Sequence, residues 1–369
     1  MSSIQRIAIT GSSGYCGRHF ISQVRQRAPG IRILGLDMAP ARTDTPDEFQ
    51  RIDTRDPQLC DALCEFAPDT VVHMAFVVHE THSQEFMRDV NVNGSRNVFR
   101  AVKQLQLQRF LYYSSMVAFG AWPDNPVPME EDWPLRPRTD FRYAADKTEL
   151  EGDIVRLAAE HPEIAVSWIR PCMVLGPGTR NYISDYVLRS LVVLLPDGVD
   201  SWAQFVHEDD LARATWEVLN NSGRGAFNVC PDDWMAWSEV ARLRGRPAVK
   251  VPLWMSRWAI QVYRLLRIPD SLAPGLGSPP GLLNFLRHPW VGRPKRLTEE
   301  LDFKFQHSTR ETLQQAWNQH LAQRYSRKQA AHVVPPRATI NATQVEQSAA
   351  AISGRRSSST SVSADVLQD

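Results

Sequence analysis

Residues 10–17 read TGSSGYCG, and this stretch decides the fold of the chain. It follows a short apolar run at residues 6–10 and precedes a segment whose apolar residues recur at helical spacing. Glycines at three-residue intervals let the backbone turn tightly, and the N–H groups at the start of a helix attract phosphate. The stretch therefore predicts a strand-to-helix turn that binds a dinucleotide pyrophosphate through Gly11, Gly14 and Gly17.

Short apolar runs alternate with helix-length segments over the first half of the chain. The predicted strands are residues 6–10, 32–37, 49–52, 70–75, 110–114 and 166–170. They are nearly continuous apolar runs, as expected for strands buried on both faces. The alternation predicts an α/β fold with a Rossmann-type, doubly wound parallel sheet.

The second half of the chain changes in composition after residue 178. Residues 1–178 are predicted to form the dinucleotide-binding domain, with strands returning to it from about residues 200–230. Residues 179–324, rich in Pro, Trp and Gly, are predicted to form most of a smaller substrate lobe. Residues 325–369 carry few large apolar side chains, so we predict a disordered tail.

The charge balance and the cysteine content exclude several classes of protein. Lys and Arg total 42 against 41 Asp and Glu, so the net charge gives no reason to expect binding to nucleic acid. The N-terminus has no signal peptide pattern and no apolar run is long enough to span a bilayer, which predicts a cytoplasmic protein. Cys60 and Cys64 lie four residues apart without a matching ligand pair, so no metal site is expected.

Asp37 ends the second predicted strand, about twenty residues after the glycine-rich turn. A carboxylate at this place accepts hydrogen bonds from the adenosine ribose hydroxyls and repels a 2′-phosphate. The sequence therefore predicts NAD rather than NADP as the cofactor. Arg42, five residues further on, is the one nearby basic group that would favour NADP.

Tyr143 and Lys147 lie four residues apart in a helical segment, so both side chains share one face. A tyrosine hydroxyl, with an ordinary pKa of about 10, needs nearby positive charge to act as a base at neutral pH. We predict that Lys147 supplies such a charge and that Tyr143 exchanges a proton with a carbinol oxygen. Ser115, at the carboxyl end of a predicted strand, is expected to orient that oxygen.

Several motifs in order resemble the extended short-chain dehydrogenase/reductases, the NAD-dependent epimerase/dehydratase family. The resemblance covers roughly residues 4–320 and includes the glycine-rich turn, the Ser–Tyr–Lys set and the segments at residues 72–75, 170–178 and 205–212. It implies catalysis by Ser115, Tyr143 and Lys147. It also implies a set of cofactor-binding residues: Gly11, Gly14, Tyr15, Cys16, Gly17, Asp37, Asp53, Met74, Ala75, Asn91, Ser114, Tyr143, Lys147 and Pro171.

The same resemblance implies a homodimer that pairs the helices around residues 88–104 and 142–159. It also implies structural rather than catalytic roles for His73 and His207. Two departures bear on the substrate. Ala203 stands where nucleotide-sugar epimerases of this family carry an Arg that binds the substrate pyrophosphate, and the pair Cys172-Met173 stands where they carry an Asn. Arg180, Arg189 or Arg293 could bind the pyrophosphate instead.

Three functions remain open from the sequence. The leading hypothesis is hydride transfer between NAD and a secondary alcohol or ketone. Dehydration, another reaction of the family, is not expected, because the Asp-Glu pair of family dehydratases is missing after Ser115. A nucleotide-sugar 4-epimerase with tightly held NAD uses the same three residues. A sensor or scaffold that binds NAD without chemistry is the third.

Residues 254–267 place Trp254, Trp258, Val262 and Leu265 on one helical stripe. A helix packed on the second lobe explains such a stripe. Two tryptophans on one stripe also suit a lid over an apolar substrate or contact with a membrane surface.

Overall fold

The computed structural model describes residues 3–41, 46–78, 84–179, 182–266 and 279–332. Within these ranges the strands are β1 Arg6–Thr10, β2 Arg32–Asp37, β3 Glu48–Arg51, β4 Thr70–His73, β5 Arg109–Tyr113, β6 Ala165–Pro171, β7 Met173–Leu175, β8 Val193–Pro196, β9 Trp202–Ala203, β10 Phe205–His207, β11 Gly225–Val229, β12 Met235–Ala236 and β13 Ala248–Val251. The helices are α1 Tyr15–Arg27, α2 Gln58–Phe66, α3 Gln84–Arg88, α4 Gly94–Gln104, α5 Arg142–Glu160, α6 Tyr182–Arg189, α7 Glu208–Asn220, α8 Trp237–Leu243, α9 Leu253–Leu265, α10 Leu282–Arg287, α11 Lys295–Leu301 and α12 Thr309–His332.

Seven of these described strands form one parallel sheet in the order β11-β6-β5-β4-β1-β2-β3. From β1 the chain proceeds to β2 and β3 on one side, and it then crosses to β4, β5, β6 and β11 on the other side. This is the doubly wound, Rossmann-type arrangement, so the predicted fold class is confirmed. All six predicted strands are present: two match at both ends, and four differ by one or two residues at an end.

Alternate residues of the central strands face two apolar cores on opposite sides of the sheet. In β1, Ile7 and Ile9 enter the core that includes helices α1 and α7, whereas Ala8 enters the core beside α2, α4 and α5. All three are fully buried. Burial on both faces explains why the strands read as continuous apolar runs rather than as alternating ones.

The chain outside the large sheet forms three small two-stranded sheets among the described residues. They pair β7 with β10 and β8 with β13 in parallel, and β9 with β12 in antiparallel orientation. Residues 1–320 group into one compact unit, so a division at residue 178 stays a prediction. No described helix is both long and apolar enough to cross a bilayer.

The second unit spans residues 321–369, and its described part is the end of helix α12. The predicted disordered tail begins at Tyr325, whereas helix α12 runs to His332, and the disorder of residues 325–369 stays a prediction. Ala, Gln, Arg and Lys in residues 325–332 are strong helix formers, which favours this length of helix. Residues 333–369 lie outside the described part of the chain.

Candidate functional site

The glycine-rich turn connects β1 to α1 at the carboxyl edge of the sheet. Gly11 has a φ of +76°, and a side chain there would meet the backbone nitrogen of Ala75 at 2.6 Å. A side chain at Gly17 would overlap the carbonyl oxygen of Gly11. Both positions therefore require glycine, because the backbones of two elements approach each other at this point.

The start of helix α1 leaves backbone donors open. The helix begins at Tyr15, and Gly14 in the capping position offers no side chain to the first N–H groups. Its first turn carries no acidic residue that would compete with an anion. A helix N-terminus of this kind binds phosphate through its N–H groups and its dipole, which fits the pyrophosphate of a dinucleotide.

Asn91 fixes the segment that runs past the glycine-rich turn after β4. Its side-chain oxygen accepts a hydrogen bond from Val77 N at 2.7 Å, and its amide nitrogen donates to Val77 O at 3.1 Å. Asn91 lies in a π-helical turn, Asp89–Asn93, between α3 and α4. Met74 and Ala75 pass beside Gly11, and the Asn91 amide fixes the backbone that follows them. This backbone is predicted to line the cofactor.

Asp37, at the end of β2, faces the glycine-rich turn. Its carboxylate accepts hydrogen bonds from Ser13 N and from Ala39 N, both at 2.9 Å. Each oxygen has one donor in the described structure and retains a further lone pair for a ribose hydroxyl. Arg42, the basic group that would favour NADP, lies outside the described residues.

Asp53 is held differently from Asp37. Arg55 binds both oxygens of its carboxylate, with the Nη2–Oδ2 distance at 2.7 Å and the Nε–Oδ1 distance at 3.1 Å. Hydrogen bonding to this guanidinium holds the pKa of Asp53 below its usual range. The predicted contact of Asp53 with the cofactor therefore competes with a formed bidentate ion pair.

Tyr15 and Cys16 are the first two residues of α1 and have partners in the described structure. Thr179 Oγ1 donates to the Tyr15 hydroxyl at 2.7 Å. Burial raises the pKa of the Cys16 thiol to about 11, and the charge of Lys147 opposes that rise. Pro171 ends β6 and is buried. Cys16 thus lies within electrostatic range of the predicted catalytic lysine, although 131 positions separate the two in sequence.

Ser115 and Tyr143 are brought together at the carboxyl end of β5. Their hydroxyl groups interact, and that interaction favours the Tyr143 phenolate. Burial acts in the opposite direction and is the larger effect, so the pKa of Tyr143 rises to about 12. The Ser115 oxygen also accepts from Val117 N at 3.4 Å, which fixes the serine at the start of a 3₁₀ turn.

Lys147 lies one helical turn after Tyr143 and is buried. Its ammonium donates to Tyr113 O at 2.6 Å and lies 3.4 Å from the centre of the Phe76 ring. Burial lowers the pKa of Lys147 well below its usual value, and Glu151, Cys16 and Asp146 oppose that effect. The Phe76 ring and the Tyr113 carbonyl oxygen therefore stabilise the charge of Lys147, whose ammonium lies 5.8 Å from the centre of the Tyr143 ring.

Ser114 faces away from Ser115, as alternate residues of an extended strand do. Its hydroxyl donates to Glu151, which also forms a buried ion pair with Arg170 at 2.6 Å. The contact of Ser114 with the cofactor stays a prediction. Sequence reasoning missed this network, although Arg170 inside a buried strand required an acidic partner.

His73 and His207, in the segments at residues 72–75 and 205–212, have structural partners. His73 bonds Thr10 Oγ1 at 2.6 Å and Ser95 Oγ at 2.8 Å, and burial lowers its pKa to about 3. His207 accepts from Asp209 N at 3.2 Å at the start of α7 and stacks on His307. Both arrangements agree with the structural roles that the sequence predicted.

The geometry can be compared with known proteins. The model of the NAD dependent epimerase/dehydratase family matches residues 7–230, which is more than half of the chain. The chain belongs to this family. Members of the NAD dependent epimerase/dehydratase family use NAD, and the open turn, the uncapped helix and Asp37 fit it. The expected family and its cofactor are therefore confirmed.

Relatives within the family differ in the reactions that their names give. An uncharacterized protein of Mycobacterium tuberculosis is 27% identical over 70% of each chain. A sterol-4-alpha-carboxylate 3-dehydrogenase of Candida albicans is 27% identical over 49% of this chain and 54% of its own. A UDP-glucose 4-epimerase of Mycolicibacterium smegmatis is 26% identical over 61% of this chain and 76% of its own.

A solved structure supports the fold of the family over nearly the whole described chain. The UDP-glucose 4-epimerase of Thermus thermophilus, in complex with NAD, superposes with a TM-score of 0.66 at 21% identity. The match covers 86% of this chain and 99% of that protein. At this identity the similarity establishes the architecture, and the reaction has to be argued from the site.

Proposed function

We propose that this protein is an NAD-dependent oxidoreductase that transfers hydride between NAD and a secondary alcohol or ketone. The observation that carries the proposal is that Ser115, Tyr143 and Lys147 lie together: the two hydroxyl groups interact, and the Lys147 ammonium is 5.8 Å from the centre of the Tyr143 ring. These groups lie at the carboxyl ends of β5 and its neighbours, where open α/β sheets bind ligands.

Each of the three residues has a separate role. In oxidation, Tyr143 takes the proton from the alcohol oxygen, and in reduction it returns that proton. Ser115 donates a hydrogen bond that orients the reacting oxygen. Lys147 adds positive charge that favours the phenolate, against the burial that raises the pKa of Tyr143. When bound, NAD accepts or supplies the hydride.

Aromatic side chains pack against Tyr143. Its ring contacts Phe76 and Phe141, with centroid distances of 5.4 and 5.8 Å, and Phe141 continues into the core to Phe285 at 5.3 Å. One relative is named a sterol-4-alpha-carboxylate 3-dehydrogenase. We therefore place sterol-like secondary alcohols first among candidate substrates.

The residues at the positions that bind the nucleotide sugar in family epimerases are poor ligands for it in this chain. Ala203, Cys172 and Met173 are buried and carry no charge. Arg189 pairs with Asp185 at 3.2 Å, and Arg293 lies 4.0 Å from both Glu130 and Asp232. Arg180, the third alternative, lies outside the described residues.

A nucleotide-sugar 4-epimerase is the second candidate, because a relative carries that name and the same three residues serve that reaction. The two candidates differ in net redox change. Purified protein is first assayed for bound cofactor by mass spectrometry. NADH formation is then followed with sterol-like, flavonoid-like and sugar-nucleotide alcohols. Steady NADH production on an apolar alcohol supports the dehydrogenase, whereas conversion of a sugar nucleotide without net NADH contradicts it.

A further inference from the structure

Helix α9 packs on the protein by one side only. Ser256, Ile260 and Tyr263 are buried, and they lie on one side of the helix. The opposite side is exposed and mainly apolar, with Gln261 as a polar member. Its apolar members, which we call the Trp face, are Trp254, Met255, Trp258, Leu265 and Leu266.

The exposure of the Trp face is large for side chains of this kind. Trp254 is 69% exposed, Trp258 is 63% exposed and Leu265 is 81% exposed. At 100° per residue these three lie within about 40° of one another around the helix axis. Single exposed apolar residues are common, but a contiguous row of large ones marks a surface that another apolar phase covers.

The charge near the Trp face is mainly basic. Residues 239–266 contain one acidic residue, Glu239, which pairs with Arg242, and six basic residues, of which Arg244 is buried. Of these, Lys250 is exposed just before the helix and Arg257 lies on it. The acids that approach from neighbouring elements are already engaged. Asp140 lies 3.8 Å from Arg257 and binds Arg138 and Asn284, and Asp197 binds Leu253 N and Arg287.

We propose that the Trp face docks on the surface of a bilayer that contains anionic phospholipid, with α9 lying in the plane of the interface. Leucine side chains enter the acyl region, and the indole rings suit the boundary because each combines an apolar ring with an N–H donor. The surrounding Lys and Arg attract anionic headgroups. The same helix used as a closed lid would bury its tryptophans against the protein, and they are exposed.

The test uses the full chain and sedimentation with vesicles of phosphatidylcholine alone or of phosphatidylcholine mixed with phosphatidylglycerol. We expect binding to the mixed vesicles that weakens as salt is added, and little binding to phosphatidylcholine. The double variant W254Q/W258Q should lose affinity by about tenfold or more. Both side chains are exposed, so the variant should keep its thermal midpoint. W202Q, which alters an exposed tryptophan on β9, is the matched control.

Two results overturn the proposal. The first is equal sedimentation of the wild-type chain and W254Q/W258Q with mixed vesicles, or no sedimentation of either. The second is a wild-type chain that ignores vesicles but forms an oligomer, seen by light scattering, which W254Q/W258Q abolishes. That second result would assign the Trp face to another copy of the chain. Neither outcome depends on which alcohol the enzyme oxidises.

Discussion

The ammonium nitrogen of Lys147 lies 3.4 Å from the centre of the Phe76 ring, so a buried cation rests on an aromatic face beside Tyr143. A cation over a desolvated aromatic ring is worth about 0.5–2 kcal/mol. That interaction favours the protonated lysine and offsets part of the burial that lowers the pKa of Lys147. We therefore predict that Phe76 acts on Tyr143 through Lys147.

Replacing Phe76 with Leu should shift the pH profile of alcohol oxidation. Leucine fills similar space without attracting the cation, so the pKa of Lys147 falls further and its charge supports the Tyr143 phenolate less. We expect the alkaline rise in rate to move up by about half a pH unit to one unit. F86L is the control, because Phe86 forms a similar contact with Arg55 at the surface. An unchanged profile in F76L would remove Phe76 from the mechanism.

Replacing Tyr143 with Phe should nearly abolish turnover and change NAD affinity by only a few-fold. The variant keeps the ring contacts with Phe76 and Phe141 but loses the hydroxyl that exchanges the proton, an effect of about 10²–10⁴ in rate. Y113F removes a buried hydroxyl that bonds Thr215, outside the proton path, and serves as the control. More than about a tenth of wild-type turnover in Y143F would contradict the assignment.

Replacing Asp37 with Asn should narrow the preference for NAD over NADP. The amide can still accept from Ser13 N or Ala39 N, so the turn is kept, while the charge that repels a 2′-phosphate is lost. Fluorescence titration with both cofactors measures the ratio of the two dissociation constants. D56N changes an acid that caps Gln58 N after the neighbouring strand, and it should leave that ratio unaltered. An unaltered ratio in D37N as well would show that NAD selection lies elsewhere.

Replacing Glu208 with Gln should stabilise the free protein at alkaline pH. Burial, with a smaller contribution from Asp209, raises the pKa of Glu208 to about 8, against 4.5 for a free side chain. The folded chain thus keeps a proton that the unfolded chain has lost, so stability falls as the pH rises from 4.5 to about 8. Glutamine resembles the protonated form.

Thermal or urea unfolding at several pH values checks this prediction. E208Q should exceed wild type by on the order of 3 kcal/mol above pH 8 and match it below about pH 5. E65Q, an exposed substitution, should track wild type throughout. A constant difference between E208Q and wild type at every pH would show that packing, rather than ionisation, separates them.

The family resemblance predicts a homodimer through α4 and α5, and these helices border a groove of about 620 Å³. Arg96 and Arg156 line it together with Asp153 and Glu160, so the surface offers both charges to a copy related by a two-fold axis. Replacing the half-exposed Val155 of α5 with Asp should raise the dissociation constant of the dimer. Light scattering over a dilution series measures the change, with V199D as the control. A wild-type monomer at micromolar concentration would contradict the prediction.

Local pattern was enough for the fold and for much of the site. The six strands, the glycine-rich turn and the four-residue spacing of Tyr143 and Lys147 follow from short-range rules, because strand and helix periodicity and the conformational freedom of Gly11 are properties of neighbouring residues. The motif order also predicted that Ser115 would meet Tyr143, a contact across 28 positions.

Only the tertiary structure decided which partner each polar group takes. Ser114 turns to Glu151, Asp53 is held by Arg55, and Lys147 rests on Phe76. These choices depend on which elements become neighbours after folding and on how much water each group loses. The sequence predicted that the charge of Lys147 would favour the Tyr143 phenolate. In the free enzyme burial opposes this effect, because it raises the pKa of Tyr143 and lowers that of Lys147. Desolvation is a property of the packed chain as a whole, and no local pattern in the sequence encodes it.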